Sequence, residues 1–99
     1  MKDSNVRYIV AVFYDEEVYI LQTDEKVHFF FHHYPKVYKK AGYACNMANK
    51  LAETYLNDKV CVFKVKQEEK LSYDEYKNWD KNEDRLVYEA KWKPIFDKK

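Results

Sequence analysis

From residue 27 to residue 52 the chain carries no carboxylate. That stretch holds His28, Phe29, Phe30, Phe31, His32, His33 and Tyr34 in one run, then Lys36, Tyr38, Lys39, Lys40, Tyr43 and Lys50. Rings interleaved with ammonium groups are suited to binding. Rings stack on bases or fill a partner's pockets, while lysines meet phosphates or carboxylates. The face expected to bind is therefore Tyr34, Lys36, Tyr38, Lys39, Lys40, Tyr43 and Lys50. The plainer reading makes the phenylalanines core and the lysines a solvated loop.

A second candidate lies further on. Residues 68–84 are rich in Asp and Glu and contain Tyr73, Glu75, Tyr76 and Trp79. Acids beside large rings suit docking on a basic protein surface, with the rings as anchors. The plainer reading is an amphipathic helix whose aromatic side closes the core.

Other chemistries find less support. His28, His32 and His33 invite a metal, but their run contains no Cys, Asp or Glu to complete a ligand set. They read as structural or hydrogen-bonding histidines, and no metal site is expected. Ser4 and Ser72 are the only serines. One sits in the N-terminal segment, and the other fits a helix cap. A Cys61–His pair would need a pocket that no local motif announces. Adjacent acids such as Glu16–Glu17 and Glu68–Glu69 lie in polar segments where solvation is the rule. A single glycine, Gly42, cannot build a phosphate-binding loop. The expectation is a protein that is not an enzyme and uses no cofactor.

Composition narrows the partner. With 99 residues the chain is expected to be one domain, with 67–99 as an accessory segment covering the second sheet face. A net charge of +1 argues against a general polyanion binder and against an acidic nucleic-acid mimic. Ten tyrosines suit a small core and an adhesive surface at once. Cys45 and Cys61 lack the spacing of a zinc or redox motif and sit in apolar patterns. They read as reduced core thiols, the alternative being one disulfide between them. No signal peptide and no run near the ~20 apolar residues of a membrane span is evident. A cytoplasmic protein without a membrane partner is expected.

The elements that must position these residues follow from periodicity. Val6–Tyr14 is rich in β-branched and aromatic residues and reads as a strand. Residues 17–22 read as its hairpin partner, across a turn at Asp15-Glu16 that lacks the usual Asn-Gly or Asp-Gly. Residues 27–31 read as a short third strand. Gly42 places the start of the main helix near it, because glycine is a poor interior residue. Ala41, Ala44, Cys45, Ala48, Leu51, Ala52 and Tyr55 then follow helical spacing, ending at Asn57-Asp58. Lys59–Lys66 alternates as a strand. Ser72 and Glu75 fit a capping box for a short helix over 73–79. Leu86, Tyr88, Ala90 and Trp92 alternate with Val87, Glu89 and Lys91 as a final strand.

The expected fold class is α+β: an antiparallel sheet of three to four strands, with one main helix packed on one face. The first strand is apolar on both sides, so a single helix leaves one face to be covered. A C-terminal segment with Trp79, Trp92 and Phe96 would cover it, the alternative being the second subunit of a homodimer or another protein.

The order of hairpin, then Val37-Tyr38-Lys39-Lys40-Ala41-Gly42-Tyr43-Ala44, a helix with Ala48 and Leu51, and Val60-Cys61-Val62-Phe63-Lys64-Val65 resembles small uncharacterised proteins of bacterial phages and prophages. The resemblance spans about residues 7–66. Residues from 67 onward and the Phe29–His33 run have no counterpart in it. It implies a small accessory or host-modulating protein of the host cytoplasm, a class that includes inhibitors of bacterial defence systems, and it transfers no functional residues. The expected function is a non-catalytic protein-interaction module. The alternative is a small single-strand nucleic-acid-binding protein using the basic and aromatic face.

Overall fold

The structure is a computed structural model of the chain and describes residues 5–29, 35–55, 58–67, 78–81 and 84–90. Strands β1 (Val6–Tyr14), β2 (Glu17–Leu21) and β3 (Val27–Phe29) precede helix α1 (Ala41–Thr54). Strands β4 (Lys59–Lys66) and β5 (Leu86–Ala90) follow it. All five pair antiparallel in the order β3-β2-β1-β4-β5. The fold is α+β as expected, but the sheet has five strands, where three to four were expected. Both strands at the edges, β3 and β5, fall where a short third strand and a final strand were expected, and both join the sheet.

The doubly apolar β1 lies at the centre of this order, where both faces are buried. Its ladder with β4 runs from Val6↔Lys66 to Phe13↔Lys59. Its hairpin with β2 closes at Tyr14↔Glu17. Asp15 and Glu16 form that turn with φ of 54° and 65°. Two positive φ values match the right-handed twist of a two-residue hairpin, although neither residue is glycine.

Near its start β1 exchanges partners. Tyr8 N donates to Tyr38 O at 2.9 Å and Tyr38 N donates to Tyr8 O at 2.8 Å. Lys36 N donates to Leu21 O at 2.8 Å. Residues 35–38 thus wedge between β1 and the end of β2, and this splice delivers the chain to the start of α1.

Helix α1 lies over β1, β4 and β5. Ala44, Ala48 and Ala52 are its buried residues, four apart, and they bring the backbone close to Val10, Val12, Val60 and Val62. The helix ends at Thr54, short of the expected Asn57-Asp58, with Tyr55 as C-cap.

The opposite face buries Ile9, Ala11, Val18, Ile20, Cys61, Phe63 and Val65. Trp79 belongs to the same cluster and is only 2% exposed. Among the described residues these side chains are buried within one chain. Trp92 and Phe96 lie outside the described residues.

Of the expected helix over 73–79, residues 73–77 lie outside the described residues, and Trp79 opens a 3-10 turn, Trp79–Lys81. Strand β5 departs from simple alternation. Its register with β4 jumps from Val62↔Tyr88 to Phe63↔Leu86, leaving Val87 as an extra residue. Such a bulge changes the phase of the pleat. Tyr88 and Ala90 therefore pack on the helix side, while Leu86 packs with Phe63 and Trp79 on the other.

Candidate binding surface

The splice at residues 35–38 sets the environment of the first basic residues. Lys36 Nζ lies 3.5 Å from Glu25 Oε2 and 5.6 Å from the centre of the Tyr38 ring. Burial, and next the Glu25 charge, push the Tyr38 hydroxyl above its ordinary pKa of 10.0. Tyr38 packs against the helix-side core. The carboxylate missing from the local sequence is thus supplied by the β2–β3 loop. Lys36 is engaged by Glu25, and Tyr38 supports the fold more than it presents a ring.

Lys39, Lys40, Tyr43 and Lys50 remain together in a different sense. Lys39 and Lys40 are exposed at the mouth of α1. Tyr43 is 63% exposed in the first turn, and Val37, just before the lysines, is 48% exposed. Tyr43 and Lys50 are seven residues apart, two turns along one side of the helix. Lys40 is the N-cap residue, makes no side-chain cap, and is followed by no acid in the first turn. Aspartate or serine there would cap the helix and complement its dipole. Tyr34 lies outside the described residues.

The acidic and aromatic candidate fares differently. Tyr73, Glu75 and Tyr76 lie outside the described residues. Trp79 is buried against Phe63, and Arg85 stacks over its indole at 4.3 Å. Its ring belongs to the buried cluster on the face opposite the helix, as the plainer reading of this segment has it.

His28 Nε2 lies 2.8 Å from Asp24 Oδ2, an acid that precedes the histidine run. His32 and His33 lie outside the described residues. Among the described residues no three of His, Cys, Asp and Glu converge. Cys45 packs on the helix side and Cys61 on the opposite face, and no disulfide joins them. Burial pushes the Cys45 thiol above its ordinary pKa of 9.0. Among the described residues no helix is long and apolar enough to cross a membrane.

One concavity was not anticipated. Val12, Tyr14, Tyr19, Val27 and Tyr55 line a cleft of ≈ 220 Å³ beside the C-terminal end of α1. Val12 faces Tyr19 and Tyr14 faces Glu17 in the hairpin register, so Tyr14 and Tyr19 are diagonal neighbours on one face. Their ring centres are 6.0 Å apart and their planes meet at 64°. The signal available in the sequence was two tyrosines on either side of a tight turn. Tyr55 could not be joined to them without the crossing of α1.

No protein-family model matches the chain, and neither a curated protein nor a solved structure matches it.

Proposed function

We propose that this chain is a non-catalytic interaction module that occupies a surface of another protein through the start of α1. On the resemblance to phage and prophage accessory proteins, the occupied protein is a host factor, and occupation inhibits it. The observation that carries the reading is the exposed group Lys39, Lys40, Tyr43 and Lys50. A ring 63% open to solvent offers an anchor for a partner's pocket. The lysines around it favour a partner with carboxylates there and speed encounter with it. Lys40 at an N-cap works against helix stability, which fits retention for contact.

The test is capture from host lysate on the wild-type chain and on a Lys39→Glu, Lys40→Glu, Tyr43→Ala variant. A protein held by the first and released by the second supports the reading. A lysate that yields no stable protein partner defeats it.

The same ring and ammonium groups favour a second reading, a single-strand nucleic-acid binder. It requires a shifted band with DNA or RNA at low salt that weakens steeply as salt rises. No shift at low salt removes it.

A further inference from the structure

We propose that the cleft lined by Val12, Tyr14, Tyr19, Val27 and Tyr55 is a binding site for an alkylated ammonium group carried by a small organic cation. The site lies at the opposite end of α1 from Lys39, Lys40 and Tyr43. Three tyrosines line it, over an apolar lining of Val12 and Val27. Tyr14 and Tyr19 meet at 64°, so their rings form two walls of a corner and do not stack flat on each other. An aromatic face carries partial negative charge and attracts a cation within about 6 Å of its centre. Several rings turned toward one space reinforce that attraction. They also replace part of the hydration that an alkylated ammonium, being weakly hydrated, gives up readily.

Two further features bias the site toward positive charge. Tyr55 is the C-cap of α1, and the last turn of the helix holds no basic residue. The C-terminal end of a helix acts as a partial negative charge, and Tyr55 places the cleft beside that end. Glu17 shares the face with Tyr14 across the hairpin, whereas Lys59 registers with Phe13, on the other face. Size favours a head group over a larger ligand. At ≈ 220 Å³ the cleft is smaller than the roughly 300–1,000 Å³ of drug-sized pockets.

The experiment titrates the full chain with choline chloride and with 3,3-dimethylbutanol, its uncharged carbon isostere, followed by proton–nitrogen correlation NMR at neutral pH. Potassium chloride at equal ionic strength is the control. The expected result is saturable shifts centred on Val12, Tyr14, Tyr19, Val27 and Tyr55, with choline binding about tenfold tighter than the alcohol. Tyr19→Leu keeps an apolar wall and removes a ring face, so the choline preference falls toward unity. If that variant does not fold, Tyr14→Leu serves, because Tyr14 is half exposed and its loss leaves the core intact. Equal affinity for cation and alcohol identifies a plain apolar cleft and overturns the proposal. So do shifts reproduced by potassium chloride, shifts centred elsewhere, or the absence of saturable shifts with choline.

Discussion

The indole of Trp79 meets the ring of Phe63 edge-on, with centres 5.3 Å apart and planes at 69°. Phe63 in turn meets Phe13 edge-on at 5.9 Å. Arg85 lies on the outer side of Trp79, its Nη1 donating to Lys64 O at 3.1 Å. This stack covers part of the face opposite the helix. Truncating a buried Trp costs about 3–5 kcal/mol, a large share of the 5–15 kcal/mol typical of a domain. Trp79→Ala should therefore lower the urea midpoint severely, and Trp79→Phe much less. A variant as stable as wild type would mean that Trp79 does not hold this face.

Most of the fold was legible because β1, β4 and α1 carry long, regular patterns. The doubly apolar β1 implied a cover on each face of the sheet, and the alanines at four-residue spacing implied a close-packed helix. Leu86 was misplaced, since an alternating pattern cannot show that Val87 is squeezed out of register. Trp79 read as core with an anchor as the alternative, because an isolated aromatic in a polar segment has no period to assign it a face. The surface was legible only in part. Lys39, Lys40 and Tyr43 lie together because they are neighbours in sequence. The pairing of Lys36 with Glu25, and the approach of Tyr55 to Tyr14 and Tyr19, depend on chain crossings that local patterns do not encode.

The hairpin turn stores strain. Asp15 and Glu16 both take left-handed backbone angles, which cost an ordinary L-residue roughly 1–2 kcal/mol. Glycine pays no such penalty but gains unfolded-state entropy, which offsets part of the benefit. Glu16→Gly should stabilise the chain by about 0.5–1 kcal/mol. The urea midpoint should rise at constant slope. A lower midpoint would show that the Glu16 side chain outweighs its backbone strain.

Two helix positions should respond oppositely to added carbon. A methyl group on Gly42 would meet nothing within 4 Å. Gly42→Ala should then add about 0.5–1 kcal/mol of stability through helix propensity. Ala48 is fully buried where α1 crosses the sheet. Ala48→Leu overpacks that crossing and should cost about 1–3 kcal/mol. Thermal melts of the two single variants should move in opposite directions. A harmless Ala48→Leu would rule out close packing as the role of the alanine stripe.

The β2–β3 loop should respond to acid through Asp24. Its Oδ2 faces His28 Nε2 at 2.8 Å, and its Oδ1 accepts a hydrogen bond from Lys26 N at 3.0 Å. The His28 hydrogen bond first, and the Lys26 backbone bond next, hold its carboxyl below the ordinary value of 3.8. A pKa depressed by folding means that the unfolded chain binds the proton more tightly. The contribution is present above the ordinary value and disappears as pH falls through the folded one. Asp24→Asn keeps the acceptor oxygen and removes the charge. It should lower the urea midpoint near neutral pH, and the gap from wild type should narrow as the solution becomes acidic. A gap that does not change with pH would exclude the carboxylate charge as its origin.

Lys40 allows folding and binding to be separated at one residue. It occupies the N-cap of α1 with φ −121° and ψ 135°, the extended geometry from which a short acidic side chain reaches back to the first helical N–H groups. Lysine cannot accept those bonds, and its charge sits at the positive end of the helix dipole. Lys40→Asp supplies both missing terms and should raise stability by about 0.5–2 kcal/mol. If the start of α1 is the contact surface, the same change reverses a charge in the middle of it and should weaken capture of the partner, mainly through slower association. The combination of a higher melting temperature with weaker binding separates a contact role from a structural one. A Lys40→Asp chain that is more stable and binds as well as wild type would leave this lysine without a part in recognition.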